Sequence, residues 1–341
     1  MPSTMRSVRL HPAPEGTPAY TPSNPAPTTA LHLDTIPTPQ PSAPGELLVK
    51  VQSTTIVRDT LTWPELYTRD YFTPGNDVSG TVVEVFSPDS KFSVGDEVYG
   101  MTGAERCGTW AEYAIALESE VAIKPKGFSW EEAAAVPLSG MTALEAFLHA
   151  GVEFPSDGDV KKVEGNAAKR VLVTGAGGAV GVYVVQLGNI LGLHVTAATS
   201  SNERNAEFLK GLGADETIEY SSLTTEAHKD VYDIIIDTIG GQPLVDSWGC
   251  VKSGGVLVTV DSSSFGFVEE HKKSGIAKDG VKALFFIVEG GSKHLDILAQ
   301  LADQGLLQVF VLDSYPMEKV WEAYERANGR LTGRGKILLS V

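Results

Sequence analysis

The stretch VLVTGAGGAVGVYVVQLGNILGLHV, from Val171 to Val195, constrains the fold more than any other part of the chain. It opens inside RVLVT, a short run rich in β-branched residues, the composition of a strand buried on both faces. Beyond a cluster of glycines, Val180, Val184, Leu187 and Leu191 recur at i, i+4, i+7 and i+11, which predicts one apolar stripe of a buried helix. LHVTAAT reads as the next strand. Strand, glycine turn, helix and strand make a βαβ unit, and so a parallel α/β sheet.

Glycines at a strand-to-helix turn have a physical use. Without Cβ they permit the tight turn and let the backbone approach a ligand. The first helical turn presents unpaired N–H groups and the positive end of a dipole, which suits a pyrophosphate. The spacing departs from a strict G-x-G-x-x-G, because Val180 fills the third glycine position; Gly175, Gly178 and Gly181 stand at three-residue steps, with Gly177 beside them. The turn from Gly175 through Gly177, Gly178, Ala179 and Val180 is therefore a candidate dinucleotide cradle, against the alternative of a tight turn in a flavodoxin-like domain. At the end of the second strand, where a chain built for NAD places an acid for the ribose 2′-OH, stand Thr199, Ser200, Ser201 and, shortly after, Arg204. Hydroxyls and an arginine suit a 2′-phosphate and favour NADPH; Ser201 or Asn202 can equally cap the helix that follows. Further apolar strands have polar ends: YDIIIDTIGG runs into Asp237 and Thr238, followed by Ile239, and GGVLVTVDSSS into Asp261, positions that face either a ligand crevice or an ordinary turn.

The rest of the chain bounds the function. Its 341 residues suffice for two domains. Up to about residue 125 it shows short β-like runs broken by Gly, Pro and Asp, and from Trp130 it alternates helices with apolar strands. The proline-rich residues 11–44 lie between strand-like MRSVRL and GELLVKV and read as a long surface loop within a β region. A net charge of −16 argues against nucleic acid or an anionic membrane surface as partner, and means that an anionic ligand must be held by local groups. Two distant cysteines, Cys107 and Cys250, exclude a disulfide framework. With no signal-like N-terminus and no run of membrane-spanning length, the expectation is a cytoplasmic protein acting on a small molecule.

In their joint order, PGNDVSGTVVEVF, FSVGDEVYGM, GTWAEYAI, EEAAAVPLSGMTALEAF, VLVTGAGGAVG, NAEFLKGLGADETIEY, DIIIDTIGG and the final GRGKILLSV resemble the medium-chain dehydrogenase/reductase superfamily, in its zinc-independent quinone oxidoreductase and enoyl reductase branch. The resemblance covers nearly the whole chain; residues 11–44 and EFPSDGDVKKVEGNAAK look like insertions in surface loops. It implies a GroES-like β domain, residues 1–135 with 291–341, and a Rossmann doubly wound domain, residues 136–290. It implies hydride transfer from NADPH to a quinone or to the C=C bond of an α,β-unsaturated carbonyl. A narrower form is a trans-acting enoyl reductase of a polyketide or secondary-metabolite pathway, and a non-enzyme alternative is an NADPH-binding structural or regulatory protein. Many members are homodimers paired through the last Rossmann strand, here ALFFIV.

Zinc-dependent members carry an early cysteine, a G-H-E segment and a four-cysteine lobe. Here QSTTIVRDTLTWPE has no cysteine, Gly75-Asn76-Asp77 stands for G-H-E, and the lobe is absent, so no metal is expected. The resemblance further implies a tyrosine acid near Tyr67, which the residues alone also allow as a packing aromatic. It places Tyr220 near the adenosine phosphate and Met141 and Thr142 near the nicotinamide. The turn Val57-Arg58-Asp59-Thr60 lacks the family's asparagine; Arg58 there orients a substrate carbonyl or simply pairs with Asp59.

Overall fold

The computed structural model describes residues 2–154, 166–329 and 331–341. The chain divides into two compact units, Met1–Leu138 with Glu289–Asp303 and Val309–Val341, and Ser139–Val288 with Gln304–Gln308.

In the first unit the proline-rich stretch is the connection of a hairpin. Strand β1 (Thr4–Leu10) pairs antiparallel with β2 (Leu31–Pro37), from Thr4 opposite Pro37 to Leu10 opposite Leu31. Ala26, Ala30 and Leu31 are buried in the same cluster as Leu61, Leu66, Phe72 and Trp110, so the loop is packed on the β region. The main sheet holds β3 (Glu46–Ile56), β4 (Asp77–Val85), β5 (Glu97–Met101), β6 (Tyr113–Leu117) and β7 (Val121–Ile123). Strand β3 pairs with β6 from Glu46 to Lys50 and with β4 from Leu47 to Ser53. Val49, Val51, Val78, Val82 and Val98 line the interior, where β-branched side chains fit a pleated surface. Gly75 (φ +92°) precedes β4 because a Cβ there would lie 2.2 Å from the Trp110 ring. Helix α1 (Trp130–Ala135) opens with a capping box, Ser129 and Glu132 each accepting the other's backbone N–H. Helix α2 (Pro137–His149) follows and carries the chain into the second unit.

The second unit is built on a six-stranded parallel sheet. Its strands are β8 (Arg170–Thr174), β9 (His194–Thr199), β10 (Glu216–Glu219), β11 (Tyr232–Asp237), β12 (Val251–Thr259) and β13 (Lys282–Phe285), in the order β10-β9-β8-β11-β12-β13. This is the doubly wound arrangement, with the order reversing at β8, where a ligand crevice forms. Helices α3 (Gly181–Ile190), α4 (Asn202–Gly211), α5 (Gly241–Cys250) and α6 (Phe267–Lys273) accompany the strands. The expected apolar stripe of α3 is wider than its spacing suggested: every residue from Gly181 to Gly188 is buried. Gly188 explains this, since a Cβ there would stand 2.9 Å from Val195 and 3.3 Å from Phe147 of α2, so the helix is pressed between neighbours. The strand read in VKALFFIVEGG ends at Phe285. The insertion read over residues 153–169 falls mostly on 155–165, outside the described residues.

The chain returns to the first unit with α7 (Ser292–Asp303), β14 (Val311–Pro316), α8 (Val320–Asn328) and β15 (Lys336–Ser340). Strand β15 pairs antiparallel with the second half of β3 and parallel with β14. It brings Lys336 onto Asp77 of β4: Nζ and Oδ2 are 2.7 Å apart with both side chains nearly inaccessible. The Thr55 hydroxyl donates to the same oxygen at 2.6 Å, and the N–H of Leu138, in the first turn of α2, donates to Oδ1 at 2.7 Å. A buried pair adds little net stability, but an orphaned partner is costly. Lys336→Met is expected to destabilise the unit by about 3–5 kcal/mol, and Asp77→Asn/Lys336→Met to lose less than the single variant; thermal melts of the two proteins check this.

Candidate functional site

The glycine turn sits at the carboxyl end of β8, with Gly178 and Ala179 exposed and Gly177 and Val180 half-buried. Gly175 holds φ +67°, and a Cβ there would lie 2.2 Å from Thr238 Oγ1 and 2.4 Å from Ile239. Gly181, whose Cβ would lie 2.2 Å from the Gly175 carbonyl oxygen, lets the first turn of α3 close on the strand end. The N–H of Gly178 is spent on Gly175 O at 2.8 Å, while Val182 donates back to Gly178. Tyr183 and Val184 donate to Val180 O at 3.0 and 3.1 Å, which leaves the N–H groups of Ala179, Val180 and Gly181 without a backbone acceptor among the described residues.

Three neighbouring strand ends surround this turn. From β11, Thr238 donates to Thr174 O at 2.9 Å and Ile239 is 39% exposed, an apolar side chain left in solvent beside the glycines. Just beyond β10, the Tyr220 hydroxyl accepts the Gly175 N–H at 3.2 Å; among the described residues no acceptor takes its proton. Burial pushes the Tyr220 phenol above its ordinary value, with the Gly175 N–H acting the other way. After β9, Thr199 is buried and accepts from Asn205 Nδ2 at 2.6 Å, and Ser200 is exposed and accepts from Arg204 Nη2 at 3.4 Å. Asn205 also faces the turn, its Oδ1 3.9 Å from where a Cβ on Gly177 would stand.

The other expected residues have defined partners of their own. Asp237 is fully buried; its carboxylate accepts from Thr174, from Thr259 at 2.7 Å and from the Gly240 N–H at 2.9 Å. Burial raises its pKa more than those bonds lower it. It braces the strand ends. Ser201 occupies the N-cap of α4 without a side-chain cap, and the cap comes from Glu219 of β10, whose Oε1 accepts the Asn202 N–H at 2.9 Å. Asp261 accepts from Ser263 and Ser264 in the manner of a turn residue. Met141 and Thr142 are both buried in α2. In the first unit, the Tyr67 hydroxyl donates to Leu61 O and accepts the Ala26 N–H at 3.0 Å, and burial raises its pKa. A proton committed to a backbone carbonyl is poorly placed to protonate a substrate, and the ring packs on the core cluster. Arg58 is exposed and pairs with Asp59 at 3.4 Å. Asn205, Gly181 and Glu219 were not among the expected contacts. Only Gly181 had a sequence signal, the three-residue glycine step.

The comparisons agree with this architecture. Residues 43–126 match the alcohol dehydrogenase GroES-like domain and residues 212–339 the zinc-binding dehydrogenase domain. A probable zinc-binding oxidoreductase, mitochondrial, of Arthroderma benhamiae is 40% identical over 326 residues, 92% of this chain and 94% of that protein. The 2-methylene-furan-3-one reductase of Solanum lycopersicum is 38% identical over 272 residues, 76% of this chain and 62% of that protein. The solved quinone oxidoreductase from Coxiella burnetii shares the fold, with a TM-score of 0.80 over 99% of each chain at 24% identity. The chain belongs to the medium-chain dehydrogenase/reductase superfamily, as a nicotinamide-dependent oxidoreductase.

Zinc, which two of these names carry, does not fit the residues present. At the G-H-E position Asn76 donates its amide to Thr102 O at 3.1 Å and to Cys107 Sγ at 3.4 Å, and Asp77 is neutralised by Lys336. Burial pushes the Cys107 thiol up to about 11, so it is no thiolate near neutral pH. Among the described residues no three His, Cys, Asp or Glu side chains converge on a metal site, and no helix is long and apolar enough to cross a membrane.

Tyr67→Phe removes the bridge between Leu61 and Ala26. It is expected to cost roughly 1–3 kcal/mol of stability with turnover retained; a melt and a turnover assay on the same preparation check this, and a selective loss of turnover would restore Tyr67 to the chemistry.

Proposed function

We propose that this oxidoreductase is an NADPH-dependent reductase of conjugated carbonyl compounds, enones or quinones, working without zinc. The observation that carries the reading is the exposed glycine turn at the strand-order reversal, flanked by Ser200, Arg204 and the Tyr220 hydroxyl. Backbone N–H groups from Ala179 to Gly181, where the turn enters α3, would receive the pyrophosphate. Ser200 and Arg204 would receive the 2′-phosphate, a charge-assisted contact that a ribose 2′-OH cannot replace. Tyr220, its oxygen held by Gly175, offers its proton to a phosphate oxygen, and Ile239 offers an apolar face.

The bound nicotinamide supplies hydride, which an electrophilic carbon conjugated to a carbonyl accepts. The tomato relative is named for reducing such an acceptor, and a quinone presents the same electrophilic pattern. Residues that hold the developing oxyanion belong to the protein; the proton is read as coming from solvent, since Tyr67 is engaged. A homodimer through the β13 edge remains part of the proposal. So does a reducing compartment, in which Cys107 and Cys250 stay free thiols; cytoplasm and mitochondrial matrix both qualify, and the Arthroderma relative is named mitochondrial.

Two measurements test the reading. NADPH consumption, followed at the nicotinamide absorbance band with a panel of enones and quinones, should reveal one productive class. Arg204→Glu should weaken NADPH binding by tenfold or more and NADH binding far less, because it removes a phosphate partner and adds repulsion. Equal losses for both cofactors would sink the NADPH assignment.

A further inference from the structure

The α4 N-terminus is capped from outside its own helix. Its N-cap residue, Ser201, makes no side-chain bond to it, and the Asn202 N–H instead goes to Glu219 Oε1 at 2.9 Å, across from the end of β10. Asn202 answers by donating its side-chain amide to Thr217 O at 3.1 Å, so the two segments are clasped twice. The clasp fixes where the charge of Glu219 sits. Asn202 is two residues from Ser200 and two from Arg204; with consecutive Cα atoms about 3.8 Å apart and the carboxylate oxygen 2.9 Å from the Asn202 nitrogen, that oxygen lies within roughly 12 Å of the Cα atoms of both, the order of one Debye length in physiological salt. Glu203, exposed in the first turn of α4, adds a second carboxylate to the half-buried Glu219, and Arg204 is the next residue. The positive end of the α4 dipole, otherwise a contribution to anion binding, is already satisfied by a carboxylate.

We propose that Glu219 is a specificity-determining residue that holds down the preference for NADPH over NADH. This rests on the NADPH reading above and deepens it. Glu219 acts through field rather than contact: its charge opposes a 2′-phosphate at Ser200 and Arg204 and is nearly indifferent to a neutral 2′-OH. The site is thereby tuned to release the phosphorylated cofactor readily and to accept NADH as a second donor. A cap made by Ser201 itself would have left the same helix end without that opposing charge.

Glu219→Gln separates the two roles. Glutamine keeps an oxygen for the Asn202 N–H and removes the charge, whereas Glu219→Asp keeps the charge on a shorter arm. Dissociation constants of NADPH and NADH would be measured by nicotinamide fluorescence on the full chain, at low salt and at ~0.5 M salt, with a melt of each variant. Glu219→Gln should bind NADPH about three- to tenfold more tightly with NADH changed less than twofold, and the gain should shrink at high salt, as a charge effect must. Glu219→Asp should keep the parental NADPH-to-NADH ratio even if its melting temperature falls. An unchanged ratio in Glu219→Gln, or equal shifts for both cofactors, would overturn the proposal while leaving an NADPH-binding parent protein and the functional reading intact. A parent protein that binds neither dinucleotide would overturn both.

Discussion

The carboxylate of Asp237 is the constraint on which the crevice depends. It lies at the end of β11 and is bonded by hydroxyls from Thr174 on β8 and Thr259 on β12, strands on either side, and by the Gly240 N–H in the turn that follows. A buried carboxylate is costly, and burial raises its pKa accordingly; three donors offset that cost and make the geometry specific. Because the three strand ends are tied at one group, Thr238 reaches back to the carbonyl of Thr174, and the space beside Gly175 is filled to the point where no Cβ fits. The exposed glycine turn is held from beneath by a buried carboxylate and the hydroxyls bonded to it.

That division explains what was readable from the chain. The β-branched RVLVT, the glycine steps and the polar strand ends are local signals, and they located the sheet, the turn and the crevice. Whether a polar residue at a strand end faces the ligand or the neighbouring strand depends on side-chain direction and on partners far along the chain. Asp237 and Asp261 share the same local setting, yet one is a buried brace and the other an ordinary turn acid. The partner of Tyr67 was illegible for the same reason: Ala26 lies in a proline-rich stretch with no strand-like pattern of its own. Glu219 was missed because caps are sought in the helix's own sequence, and this one comes from an adjacent strand.

The first unit shows a comparable substitution of partners. Where zinc-dependent relatives have G-H-E, the Asn76 amide is turned to Thr102 and Cys107, and Asp77 binds a lysine from the last strand. A lysine ammonium can neutralise a buried carboxylate as a metal would, but it offers no open coordination position and polarises no substrate oxygen. The ion pair also anchors the Leu138 N–H, so it secures the start of α2 rather than a reaction centre.

Charge completes the argument. At −16 the whole molecule repels an anionic cofactor, and α4 carries Glu203 close to the crevice, with Glu219 of β10 clasped to its first turn. Affinity for a phosphorylated dinucleotide must then come from a few short-range donors: the turn's N–H groups, the Tyr220 hydroxyl, Ser200 and one exposed arginine. Contacts of that kind depend steeply on position and, where solvent reaches them, on salt. The structure meets the first demand by clasping α4 to β10 and bonding Tyr220 to Gly175, so that donors from three separate strand ends keep a fixed spacing. It leaves the second in place, because Arg204 stands in solvent with the Glu203 carboxylate on the preceding residue and Glu219 bonded to Asn202. Rigidity sets where the cofactor lies, and the balance of a few nearby charges sets which cofactor it is.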